Sequence, residues 1–241
     1  NLKNKKIYDI KDLTSSSAKD ITFLHSKKYE NQAKNTKAMF CVTTENLKDY
    51  LSNDCNKIIV DNVLLNIAKE NNLVPKIILL THGHCDHAGG ASELARILSL
   101  PIIGPHKEDD FLLSSLHEQG QMFGMIAENC EPSKWLEESD IVDLGNATLR
   151  VLFCPGHTPG HIVFFNEESK LALVGDVIFK DSVGRTDLPK GNFQDLVNSI
   201  TTKLWPLGDD ITFISGHGPI STFGAERISN MFVSDSALKK N

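Results

Sequence analysis

Ile77-Ile-Leu-Leu-Thr-His-Gly-His-Cys-Asp-His87 sets a short apolar run directly before three imidazoles and one carboxylate in six residues. Four consecutive aliphatic residues bounded by a polar loop read as a short buried strand. The loop that follows can fold His82 and His84 toward one point, and Asp86 and His87 toward another. Neutral imidazole and carboxylate suit Zn, Fe or Mn. The set lacks the thiolates of a closed structural zinc site.

Further candidates lie downstream, each just after a strand-like run. His157 stands in Cys154-Pro-Gly-His-Thr-Pro-Gly-His161, Asp176 in Leu173-Val-Gly-Asp176, and His217 in Ile214-Ser-Gly-His-Gly218. Loops at one edge of a rigid sheet are where folds present catalytic groups. A lone His such as His25, His106 or His117 is usually a surface or packing residue, and Gly-His-Gly alone is only a turn. Four motifs in one order are a different matter, and the His-x-His-x-Asp-His core carries most of the weight. Around them the pattern predicts strands at Pro101–Gly104, Ala147–Phe153, Ile162–Phe165, Leu171–Val174 and Ile211–Ile214. Helices are predicted at Ser92–Leu98, from Lys107 toward Leu116, at Phe193–Leu204 and through Ala225–Met231. Several strands follow one another directly, which points to layered sheets with helices outside rather than a simple parallel sheet.

These residues resemble the metallo-β-lactamase superfamily. Within it, Pro155-Gly-His-Thr-Pro-Gly-His161, Gly175-Asp-Val-Ile-Phe179, Gly184-Arg-Thr-Asp-Leu188 and Ser215-Gly-His-Gly-Pro219 are similar to the short glyoxalase II-like (hydroxyacylglutathione hydrolase-like) branch. The resemblance covers about residues 72–235 and implies an αββα sandwich of the α/β (α+β) class. It implies two divalent metal ions, zinc first, with iron or manganese as substitutes. His82, His84 and His157 would hold one, Asp86, His87 and His217 the other, and Asp176 would bridge them. Asp86 would also orient the nucleophile. The activity implied is hydrolysis of a small-molecule thioester of the S-lactoylglutathione type by a metal-bridging hydroxide. Zinc β-lactamases usually carry Cys at the position of Asp176, which disfavours β-lactam hydrolysis. Cys85 is filler on this reading, and His161 supports the site rather than ligating. Arg185 and Asp187 either shape the substrate mouth or pair with each other.

The N-terminal part differs in kind. Residues 1–66 hold eleven Lys, no Arg and eight acidic residues, about +3, against about −9 for the rest. Nine Asn fall in those 66 residues and nine in the remaining 175. A boundary is therefore expected near residues 66–75, giving domains 1–68 and 69–241. Short signals predict strands at Asp20–Leu24, Ala38–Val42 and Lys57–Val60, and a helix at Lys27–Asn35, a small α/β segment. Asp20-Ile-Thr-Phe-Leu-His-Ser-Lys-Lys-Tyr29, Asn35-Thr-Lys-Ala38 and Ile58-Ile-Val-Asp-Asn62 resemble the N-terminal domain of the UDP-acylglucosamine N-acyltransferase of lipid A synthesis. That family contacts uridine with an aromatic residue, an Asn and a Tyr spaced by three. Phe23, Ser26 and Tyr29 stand there here, with Ser replacing Asn, and core packing is the favoured role for Phe23 and Tyr29. The family's hexapeptide-repeat solenoid has no counterpart, so acyltransferase activity does not follow. The segment stands where superfamily relatives carry several strands of the first sheet, leaving only about Asn66–Pro75 for the preceding helix and turn. The chain reads as a fusion with an incomplete first sheet.

Bulk properties narrow the partners. A net charge of −6 without an Arg-rich or basic aromatic stripe argues against nucleic acid. No apolar run approaches the roughly 18 residues that span a bilayer. Asn1 to Ile10 are polar and Lys-rich, unlike a secretory signal. Five scattered cysteines without a Cys-x-x-Cys pair fit reduced thiols and a cytoplasmic setting. Nothing sets an oligomeric state. Two alternatives stand beside the dinuclear hydrolase: a mononuclear iron persulfide dioxygenase, and an inactive fusion that binds nucleotide through its first segment.

Overall fold

The computed structural model of the protein describes residues 11–24, 27–59 and 73–239. The chain divides into two compact units, Asn1–Pro75 and Lys76–Asn241. Expectations for His25, Ser26, Val60 and the helix and turn proposed over much of Asn66–Pro75 fall outside the described residues.

In the first unit, β1 (Ile21–Leu24), β2 (Phe40–Thr43) and β3 (Asn56–Ile59) form a parallel sheet in that order, with α1 (Glu30–Asn35) between β1 and β2. Its core gathers Leu24, Ala33, Cys41, Leu51 and Cys55, against which Tyr29 packs. Phe23 is half-buried.

In the second unit, β4 (Ile78–Leu79) and β5 (Ile102–Ile103) form a two-stranded parallel sheet. Between them run α2 (Cys85–Ala88) and α3 (Ala91–Leu98), followed after β5 by α4 (Asp110–Leu113) and α5 (Leu116–Phe123). The second sheet contains β6 (Ile141–Asp143), β7 (Thr148–Phe153), β8 (Ile162–Asn166), β9 (Leu171–Gly175), β12 (Thr212–Ser215) and β13 (Ser221–Thr222). Its order is β13-β12-β9-β8-β7-β6, antiparallel except for the parallel pair β9 and β12. A hairpin of β10 (Ile178–Phe179) and β11 (Ser182–Val183) leads to α6 (Phe193–Ser199), and α7 (Phe223–Ser229) follows β13.

Strand β8 carries β-branched and aromatic side chains, and all five of its residues are buried because both sheet faces are covered. Val163 and Phe165 on one face join Val174, Phe213, Leu196, Ile200 and Leu204 under α6. Ile162 and Phe164 on the other join Val151, Ile77, Leu79 and Ile103 of the first-sheet region. Leu80, Ala88, Ala91, Ile102, Leu113 and Leu116 close the outer helical layer. The layers are α, β, β, α, as the resemblance implied. The first sheet is thin: among the described residues it holds two strands of two residues each. On the face turned toward it, Leu171 and Leu173 are half-buried and Ile214 is 41% exposed.

The predicted helix Phe193–Leu204 keeps α-helical bonding only to Ser199, then widens into a π turn over Ile200–Leu204. The helix predicted from Lys107 breaks at Ser114–Ser115 and restarts as α5.

Candidate metal centre

The ligand candidates leave the scaffold at one end of the sheets. His82, His84, Asp86 and His87 follow β4, His157 lies in the β7–β8 connection, Asp176 follows β9, and His217 follows β12. Because β9 and β12 are parallel, the loops after them emerge together. Gly216 permits their closest approach: a Cβ there would lie 2.3 Å from Asp176 Oδ1 and 2.5 Å from His87 Cε1.

The structure brings all seven candidates together. The ligand atoms of His82, His84 and His157 lie within 4.8 Å of one another, as do those of Asp86, His87 and His217, and those of His82, His87 and Asp176. Asp176 stands between the triads. Its Oδ2 is 3.6 Å from His157 Nε2 and 3.4 Å from His217 Nε2, and its Oδ1 is 3.5 Å from His87 Nε2. His84 Nδ1 faces His157 Nε2 at 2.9 Å, and His87 Nε2 faces His217 Nε2 at 3.0 Å. Asp86 Oδ2 is 3.2 Å from His217 Nε2.

Burial shapes the electrostatics. It pushes His82 well below the ordinary imidazole value and His84 down to about 4, with neighbouring histidines adding to both effects. Burial lowers His157 as well, while Asp176 pulls the other way. Burial alone would raise the Asp176 carboxyl, but His217 and His87 beside it hold it far below the usual range. His82, His84 and His157 thus present neutral imidazoles and Asp176 an ionised carboxylate, the protonation states a divalent cation requires. Two buried atoms sharpen the fit. His82 Nε2 and Asp176 Oδ1 make no hydrogen bond among the described residues. Buried polar atoms are normally satisfied, so these two suit a cation in the cluster.

Supporting residues orient these groups. His157 Nδ1 donates to the Arg185 carbonyl at 2.7 Å, which leaves Nε2 with its lone pair toward the cluster. The Gly184-Arg-Thr-Asp motif therefore contributes a backbone oxygen, while the Arg185 side chain forms a bidentate pair with Asp187 at 2.7 and 2.6 Å. The Asp176 amide donates to His161 Nε2 at 3.0 Å, and the His161 ring stacks on His82 at 4.7 Å. Cys85 is buried in the outer core. His106 pairs with Glu137 at 2.8 Å, away from the cluster.

Two supporting residues escaped the sequence reading. Gln119 on α5 accepts from the Cys85 amide at 3.1 Å and donates to the Leu112 carbonyl at 2.8 Å. Asp109, completely buried, bonds to both loops that carry the first triad. No local signal marks either one, since Asp109 stands in an ordinary acidic run at the start of a helix.

Comparisons with known proteins agree with this architecture. A family model for UDP-3-O-(3-hydroxymyristoyl) glucosamine N-acyltransferase matches residues 4–70. Hydroxyacylglutathione hydrolase GloC of Haemophilus influenzae is 43% identical over 176 residues, covering 72% of this chain and 83% of that protein. The structure of TTHA1623 in a di-iron-bound form superposes with a TM-score of 0.65 at 35% identity, covering 70% of this chain and 83% of the other. The BLEG-1 B3 metallo-beta-lactamase gives 0.65 at 32% identity, covering 70% and 82%. A model described as the metallo-beta-lactamase superfamily matches residues 48–217, which span the whole histidine–aspartate cluster, and the chain accordingly belongs to that superfamily as a metallo-hydrolase.

Proposed function

We propose that the second unit is a dinuclear hydrolase of small-molecule thioesters, with a hydroxyacyl thioester of glutathione as its substrate class. The observation that carries this reading is the placement of Asp176 between two triads, His82, His84, His157 and Asp86, His87, His217. Each triad would hold one divalent ion, zinc in the first instance, and Asp176 would serve both. When bound, such ions supply Lewis acidity toward a carbonyl oxygen and lower the pKa of water toward about 7. The residues supply the rest. Asp86, less buried than the others and beside His217, orients the attacking water. His157 is held in one tautomer by Arg185, and His161 holds the turn that presents Asp176. A thiolate leaving group of pKa about 8.5 departs with little acid assistance, so no dedicated proton donor is required. The substrate class follows from the likeness to the Haemophilus relative, whose name is that of such an enzyme. We assign the first unit, resembling the acyltransferase domain over about residues 5–68, no part in the chemistry. Five buried cysteines support a reducing, cytoplasmic setting.

The test is metal content and turnover together. Purified protein is expected to hold close to two zinc, iron or manganese ions and to release thiol from S-lactoylglutathione. Asp176→Ala is expected to lose the dinuclear site and at least about a hundredfold in kcat/KM. A D176A protein that kept two metals and full turnover would sink the assignment. One iron with oxygen uptake on a persulfide would move the reading to the dioxygenase. A β-lactam is the control substrate.

A further inference from the structure

Asp109 lies 0% exposed at the N-terminal end of α4, and its carboxylate accepts three hydrogen bonds. Gly83 N–H donates to Oδ2 at 2.8 Å, Thr158 Oγ1 to Oδ2 at 2.7 Å, and Gly160 N–H to Oδ1 at 2.6 Å. Gly83 sits between His82 and His84, while Thr158 follows His157 directly. The two loops that meet at His84 and His157 are thus tied to one anion some 26 and 49 residues away in sequence.

The approach is built into the sequence at both ends. A Cβ on Gly160 would come within 2.4 Å of the Asp109 amide and 2.7 Å of its carboxyl carbon. One on Gly83 would stand 2.7 Å from Leu112 Cβ and 3.2 Å from the Asp109 carbonyl. Only glycine lets either amide reach the carboxylate. Burial pushes this carboxyl up to about 6, partly offset by the bonds from Thr158, Gly83 and Gly160. A buried carboxylate held by hydrogen bonds, with no ion pair among the described residues, is costly to keep, which marks it as more than filler.

The geometry points to Asp109 as a positioning residue that clamps the His82–His84 loop to the His157 loop and so sets the first metal triad, its three bonds reaching no residue of the Asp86, His87 and His217 triad. This rests on the ligand assignment proposed above. Asp109 bonds to none of the ligand side chains and acts through the Gly83 and Gly160 amides and the Thr158 hydroxyl. Asparagine cannot replace it: one of its two terminal atoms becomes an N–H donor that faces either Gly83 N–H or Gly160 N–H, so one loop loses its acceptor.

The experiment compares full-length protein with Asp109→Asn in two backgrounds. His217→Ala keeps the first triad, and His84→Ala keeps the second. Zinc affinity is read by chelator competition. D109N is expected to weaken zinc about 10- to 100-fold in the H217A background and about threefold or less in the H84A background. Equal losses in both, or none in either, would overturn the proposal, since a merely structural residue does not discriminate between triads. Amide hydrogen exchange on chelator-treated protein supplies a metal-free readout. Gly83 and Gly160 are expected to exchange faster together in D109N, and unchanged rates would overturn the clamp. Thr158→Val removes a single bond and keeps shape. It should reproduce the same selectivity at smaller size, with Thr158→Ser restoring it, which covers the case of a D109N chain that does not fold. An unsubstituted chain that takes up no zinc would overturn the ligand assignment itself, while the exchange rates would still decide for or against the clamp.

Discussion

The imidazoles at the centre of the cluster are held neutral by burial, first of all, and then by one another. His84 titrates near 4 in the fold against 6.5 for an ordinary histidine. Between those values the unfolded chain binds the proton and the folded chain does not. Stability is therefore fully present above pH 6.5 and drains away as the pH falls toward 4. Each such group contributes a slope of up to about 1.4 kcal/mol per pH unit. Chelator-treated protein is expected to melt at progressively lower temperature from pH 7 to pH 4.5, a flat profile counting against neutral buried histidines. At this scale the sequence spoke plainly where ligands stood close together. His82 to His87 fall in six residues, and their chemistry was visible without a fold. Asp109 was invisible because its role depends on burial and on two loops that only tertiary structure brings to it.

Elements decide where the loops meet. The parallel pairing of β9 with β12, shifted in register at Ile214 and Ser215, delivers Asp176 and His217 to the same edge of the sheet. The Gly216 amide then donates to the Gly175 carbonyl at 2.7 Å, joining the two exits. Gly216→Ala would push its methyl group into Asp176 and His87. Overpacking of this kind costs about 1–3 kcal/mol. On the proposed ligand assignment it should also weaken zinc binding by at least about tenfold, as displaced supporting contacts commonly do. Zinc titration of the variant checks this, and full retention of both ions would show that the turn tolerates a side chain. The long strands were legible from their alternation or their apolar runs. The β10–β11 hairpin and β13 were not, because strands of two residues are too short to show a period. Helix α5, with Gly120 inside it and polar residues through its middle, gave no apolar stripe to read.

On the scale of the whole molecule, composition divides the chain near residues 66–75, and compactness divides it at Pro75. The two family matches overlap over residues 48–70, so β3 lies within both sequence patterns, and it pairs with β2 in the fold. Each unit has a core of its own. Calorimetry with and without chelator is expected to show metal removal lowering the transition of the larger unit by several degrees, the smaller one staying in place. A shift of both transitions together would show that the two units melt as one. That few strands were to be expected in the first sheet was readable from the segment before it, which resembles another family. Which residues remain to form it was not: among the described residues the sheet holds β4 and β5. The triads also differ in how far along the chain they must reach. His84 meets His157 across 73 residues, and His87 meets His217 across 130. During synthesis the first triad becomes available while much of the second sheet is still to be made, and the second only when β12 has emerged. On the proposed ligand assignment, acquisition of the second ion would thus report that β12 has been made.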